Sequence, residues 1–210
     1  MGFLRAGLGM TSARISRPGS GGWSNRLAMT SFSTKLPSGK TLAAVMGSAT
    51  AAAALTGSLM TWEGKENVGY LDLAKIPTAC FGDTNDVVVG KFYTDGECKA
   101  RLERQAIVHV EGVLACVPTL RGKDAFLHAA GSMAYNIGVR NFCTSTAAAR
   151  FKSGSWLWGC EAIGPYFIVT RKDGSKVAKS GFINVSKKPV QGLINRRTYE
   201  MHICLQGLAA

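Results

Sequence analysis

The sequence predicts an α+β chain, mainly helical with small antiparallel β elements, preceded by a weakly apolar N-terminal segment. Three observations carry that expectation. Apolar residues recur at roughly helical intervals in Thr94–Leu114 and again in Thr119–Tyr135. Tyr166–Val185 reads as two β-forming runs turning at Asp173-Gly174. Leu42–Met60 runs nineteen residues without a charge, about the length of a helix that spans a bilayer core.

Taken in order, residues 1–40 are rich in Gly, Ser and Arg and hold no sustained period, which reads as a disordered basic arm. The same composition fits a mitochondrial transit peptide. In Leu42–Met60 only Leu42, Val45, Leu55 and Leu59 are strongly apolar, worth roughly −2 kcal/mol on insertion scales. Such a span is marginal in a membrane. A cleaved signal peptide, with a site among the alanines, is the competing reading. A buried Ala-rich helix is a third, disfavoured because no nearby segment offers a matching face. Thr94 and Glu97 stand in capping-box register at the start of a helix. Asn136-Ile137-Gly138 closes the next one, with Gly138 suited to a left-handed cap. A short helix bearing Trp156 and Trp158 ends near Ile163, with both indoles read as buried. Pro189 suits the first turn of a last helix that carries Arg196, Arg197 and Cys204. His109 and His128 read as structural histidines within helices.

The chain has 25 basic and 13 acidic residues, a formal charge of +12. Residues 1–61 hold six basic residues and no acid, leaving +6 on the remainder, so an anionic polymer is the expected partner. Nucleic acid is set aside, since no helix-turn-helix, finger or ribonucleoprotein pattern occurs. No metal or nucleotide motif is visible, and no cofactor is expected. The six cysteines, Cys80, Cys98, Cys116, Cys143, Cys160 and Cys204, lack zinc spacing and favour disulfides in an oxidising compartment. Six cysteines admit fifteen pairings, among which sequence alone does not choose.

The chemistry is expected in Trp62–Thr84. Glu63 and Asp72 are separated by eight residues, and Asp72 and Thr78 by five. Glycoside hydrolysis needs one carboxyl to protonate the leaving oxygen and a second to direct water. A helix end carrying Glu63, followed by a hairpin carrying Asp72 and Thr78, supplies both. This Glu-x8-Asp-x5-Thr spacing, followed by Cys-x-Gly-x-Thr at Cys80–Thr84, resembles the signature of the phage-type lysozymes, glycoside hydrolase family 24. Blocks in the same order follow at Tyr93–Leu102, Tyr135–Thr146, Gln191–Arg197 and Ile203–Gly207.

The resemblance implies a two-lobed lysozyme-like fold over residues 62–210, with a small sheet near the active site and the Tyr166–Val185 hairpin as an insertion. It implies cleavage of the β-1,4 bond between N-acetylmuramic acid and N-acetylglucosamine in peptidoglycan by a monomer. Glu63 would be the general acid, Asp72 the base or water-positioning carboxylate, and Thr78 the hydroxyl that holds the water. Thr84, Tyr135, Asn136 and Ser145 would line the substrate cleft. Following the family layout, the pairs would be Cys80–Cys98, Cys116–Cys143 and Cys160–Cys204. Residues 41–61 would act as a signal-anchor-release segment, inserted in the inner membrane with the arm cytoplasmic and the enzyme periplasmic, then freed. A catalytically silent peptidoglycan-binding module is the rival from another class.

Three expectations follow for particular side chains. Glu63 should sit in an apolar or acid-repelling pocket. Asp83, where many relatives carry a histidine, should add negative charge to the small lobe. Lys172, Lys176 and Lys179 should make the hairpin tip basic and bring it to the envelope polymer.

Overall fold

In the computed structural model residues 39–209 are described, so the proposed arm at residues 1–40 lies almost wholly outside them. The described chain is mainly helical, with three two-stranded antiparallel sheets. No helix among the described residues is long and apolar enough to cross a membrane.

The uncharged segment folds as two helices, α1 (Leu42–Met46) and α2 (Ala49–Trp62). Gly47 breaks it with a left-handed φ of 81°, a conformation that costs little only for glycine. Ser48 then caps α2 by accepting from the Ala51 N–H. Leu42, Met46, Ala51, Ala52, Leu55 and Leu59 are all buried in the main core. The disfavoured sequence reading of a buried Ala-rich helix is therefore what this conformation contains. The partner face comes from α3 (Asp95–Cys116) and α4 (Asp124–Ile137). At Gly131 of α4 an added Cβ would stand 3.1 Å from Val110 of α3 and 3.4 Å from Leu55 of α2. The missing side chain lets three helices meet, a face that helical spacing in the strand-free parts of the sequence does not advertise. The hydroxyls of Thr56 and Ser58 bond back to the Ala52 and Leu55 carbonyls. His128 of α4 reaches across to α2, its Nε2 2.9 Å from Ser58 Oγ.

Between α2 and α3 lies the hairpin β1 (Glu66–Leu71) and β2 (Pro77–Cys80), in register at Tyr70↔Thr78 and Leu71↔Pro77. The capping box at Thr94 and Glu97 opens α3 as expected, with both reciprocal bonds formed. A 3-10 turn at Pro118–Leu120 precedes α4, which starts five residues later than the sequence suggested. Gly138 ends α4 with φ 85° and ψ 145°, a positive φ but not the left-handed helical cap expected. Short helices α5 (Val139–Cys143), α6 (Thr146–Lys152) and α7 (Trp156–Ile163) follow. The inserted ribbon is β3 (Tyr166–Thr170) paired with β4 (Lys176–Ser180). Pro189 falls not in the final helix but in a two-residue bridge, β5 (Asn184–Val185) with β6 (Lys188–Pro189). The last helix, α8 (Gln191–Gln206), begins beyond it. Trp156 packs among Phe126 and Phe151, whereas Trp158 is 52% exposed, against the expectation that both indoles are buried.

All six cysteines pair as the family layout implies, Cys80–Cys98, Cys116–Cys143 and Cys160–Cys204. The bridges tie β2 to the start of α3, the end of α3 to α5, and α7 to α8. Each is worth about 3–4 kcal/mol in the chain-entropy model.

Candidate active site

Glu63 is the residue at which α2 stops. Its N–H still bonds the Leu59 carbonyl, while its φ of −93° and ψ of 132° turn the chain away. Its Oε1 accepts 2.7 Å from Arg196 Nη1 of α8, so the carboxyl faces a guanidinium and not the apolar or acid-repelling pocket expected. The physical reason is topological: α8 returns against α4 and delivers Arg196 to the end of α2, a contact across 133 residues. Arg196 also bonds Glu200 Oε1 at 3.2 Å and the Ser132 carbonyl. Glu200 further accepts from Ser132 Oγ and from Arg197 Nη2. Burial pushes the Glu200 carboxyl up, against the pull of Arg197, Arg196 and Ser132. Arg197 Nε lies 2.9 Å from Glu200 Oε2 but is not aligned for a hydrogen bond.

Asp72 is placed by short-range geometry alone. It follows β1, and its Oδ1 accepts from the N–H groups of Ala74 and Ile76 at 2.8 and 2.9 Å. Lys75 takes the positive φ of 62° that the turn requires. Oδ2 has no hydrogen-bond partner among the described residues. Thr78 is buried on β2, and its hydroxyl donates to the Ile76 carbonyl at 3.0 Å, leaving its oxygen lone pairs to accept. The three residues thus lie on a helix end and one hairpin, as the spacing suggested.

An open groove of about 510 Å³ passes Glu63 and is lined by Lys65, Glu66, Val68, Tyr70 and Gly82. Gly82 also lines a second hollow of about 440 Å³ that includes Thr84, Arg101, Gln105 and His109, so the two meet at the Cys80–Thr84 turn. Tyr135 closes onto this region. Its hydroxyl donates to Gln105 Oε1, and its ring lies 4.9 Å from that of His109. Burial first, then the Glu63 and Asp83 carboxylates, raise the Tyr135 phenol, so it stays protonated. His109 Nδ1 bonds the Gln105 carbonyl, and burial holds its imidazole below the ordinary range.

Asp72, Thr78, Tyr135, Asn136 and Ser145 are not among the residues lining these two hollows. The Asn136 side-chain oxygen accepts from Arg197, and Ser145 accepts from the Ala148 N–H as the cap of α6. Asp83 adds its negative charge to the Tyr135 phenol as expected, but it is paired and not loose. Its carboxylate meets Arg101 at 2.6 Å and also accepts from Gln105 and Asn85. Burial alone would raise it, but these partners hold it below the usual carboxylate range. The sequence reading missed Glu200; its spacing of three and four residues from Arg197 and Arg196 on one helix was the available signal.

A mainly helical chain with a small hairpin between α2 and α3 thus carries a carboxyl at the end of α2, facing that hairpin's groove. The family model for phage lysozyme matches residues 60–200, and the chain belongs to that family and has its lysozyme activity. The SAR-endolysin of Pseudomonas phage phiKMV is 33% identical over 163 residues, covering 74% of this chain and 88% of the relative. The SAR-endolysin of Enterobacteria phage P21 is 30% identical over 151 residues, covering 69% and 78%. Among solved structures, the active form of the P1 phage endolysin Lyz aligns with a TM-score of 0.60 at 24% identity, covering 79% and 92%. The muramidase domain of SpmX from Asticaccaulis excentricus aligns at 0.58 and 20%, covering 72% and 95%. These last two are likenesses of fold.

Proposed function

We propose that this lysozyme is an endolysin that cleaves the β-1,4 bond between N-acetylmuramic acid and N-acetylglucosamine and so lyses a bacterial host. Residues 41–61 first hold it in the inner membrane, N-terminus cytoplasmic, and then leave the lipid to deliver it to the periplasm. The observation that carries this reading is that α1 and α2 together hold the weakly apolar segment and Glu63 caps the end of α2. A segment lying in lipid has no contact with α3 and α4, and Glu63 is then kept from the α8 residue that grips it. The curated relatives named as SAR-endolysins support the same reading.

Glu63 is the general acid. Arg196 occupies Oε1, and Oε2 delivers the proton to the leaving glycosidic oxygen. Asp72 offers the free Oδ2 to a water whose hydrogen is accepted by Thr78. Thr84 and Tyr135 contact the glycan, while Asn136 is engaged by Arg197 and Ser145 caps α6.

Turbidity loss of purified cell walls tests the roles. Glu63→Gln should slow it by about 10²- to 10⁴-fold, and a variant that clears walls at the parent rate removes Glu63 from the mechanism. The release step is read in cells by fractionation before and after depolarisation. Full-length protein should move from membrane to periplasm; a shortened N-terminus on the soluble form would establish a cleaved signal peptide instead.

A further inference from the structure

A hollow of about 520 Å³ lies between the inserted ribbon and the helices α6 and α7, lined by Thr146, Arg150, Ser155, Trp158, Ile168 and Lys176, among others. None of its lining residues lines either hollow of the cleft. Trp158 leaves half its surface open, as does Ile168 at 44%, although burying either would be favourable. Arg150 holds the backbone at both residues, donating to the Trp158 carbonyl at 2.8 Å and to the Ile168 carbonyl at 2.9 Å, with its guanidinium 5.9 Å from the indole centroid. Arg150 thereby ties α7 to β3.

Around that apolar face stand polar groups with open valences. The hydroxyls of Thr146 and Thr170 hydrogen-bond to no other described residue, and Lys176, beside Thr170, forms no ion pair among the described residues. The ribbon contributes Ile168, Thr170 and Lys176, yet it supplies nothing to the groove at Glu63. An aromatic plate, free hydroxyls and one cation together fit a sugar ring with a peptide carboxylate beside it.

We propose that this hollow is a second, non-catalytic glycan site, which holds a muramyl unit together with a carboxylate of its peptide stem, on a strand other than the one being cut. The inference rests on peptidoglycan as the substrate and adds a second attachment point to the same polymer. Lys176 pairs with the carboxylate while Trp158 stacks against the pyranose face.

The test uses the full chain carrying Glu63→Gln, so that the polymer persists during binding. Cosedimentation with purified peptidoglycan sacculi should weaken about five- to tenfold for Trp158→Ala. Lys176→Glu should weaken binding at low salt and approach the parent at high salt. Thermal unfolding of each variant reports that the fold is kept, and Lys176→Glu, a surface change, maintains the test if Trp158→Ala is destabilised. Both variants binding sacculi like the parent would overturn the site. So would a loss confined to vesicles containing phosphatidylglycerol, which would make the hollow a lipid contact. A Glu63→Gln parent that fails to bind sacculi at all would sink the peptidoglycan reading itself.

Discussion

Glu63 and Asp72 belong to one proposed reaction and are held in opposite ways. Glu63 is gripped across 133 residues by a buried guanidinium that also serves Glu200. Asp72 is fixed within four residues, by two N–H groups of its own turn. The difference separates their dependence on the rest of the molecule. The acid is in place only when α2, α4 and α8 are assembled, whereas the base needs little more than its hairpin. In a protein whose α2 is proposed to spend time in lipid, the long-range residue is the one that a membrane can switch.

The strongest way to break the Glu63 side is to disturb the cluster behind it. Glu200→Gln keeps the shape and removes the one fully buried carboxylate facing Arg196 and Arg197. Arg196 then keeps only the Glu63 carboxylate, and Arg197 is left with no carboxylate among the described residues. Removing one partner of a buried ionic group costs about 3–5 kcal/mol. Denaturant unfolding should show a loss of that size, and wall-clearing activity should fall with it. A variant as stable as the parent would mean that Arg196 does not depend on Glu200.

That cluster also marks the limit of what the sequence reveals. Thr94–Glu97, the Asp173–Gly174 turn and the Asp72 hairpin are written in neighbours a few residues apart, and each was legible. The pairing of the cysteines was legible only through family likeness, because spacing leaves fifteen choices. Glu200, the packing of Leu55 against Gly131 and the Ser58–His128 bond depend on helices far apart in the chain. No local period encodes them. Pro189 failed for a related reason: its suitability for a helix start was overridden by pairing with Asn184.

A smaller effect sharpens the comparison through α2 itself. Burial lowers His128 from 6.5 to about 4, where it bonds Ser58 of α2 and shares a hollow with Asp124 and Tyr199. Between these values the unfolded chain binds a proton that the folded chain does not, so stability rises with pH across this window and is lost as pH falls through it. The full span amounts to at most about 3 kcal/mol. Unfolding measured from pH 7 to 4 should show this slope, and His128→Gln should flatten it. An unchanged slope in the variant would place the titration elsewhere.

The smallest expected change in stability is at Asp72, and there the two properties should part. Asp72→Asn retains a side-chain oxygen to accept from Ala74 and Ile76, so the turn persists and unfolding should shift by less than about 1 kcal/mol. The amide nitrogen replaces the free Oδ2 and takes no proton from water. Wall clearing should therefore fall by about 10²-fold or more with the melting curve nearly unmoved. Substantial unfolding in Asp72→Asn would show that the carboxylate's charge, and not its hydrogen-bonding oxygen, holds the turn. Asp72 would then be as dependent on its surroundings as Glu63, and the contrast between a switchable acid and a self-sufficient base would fail.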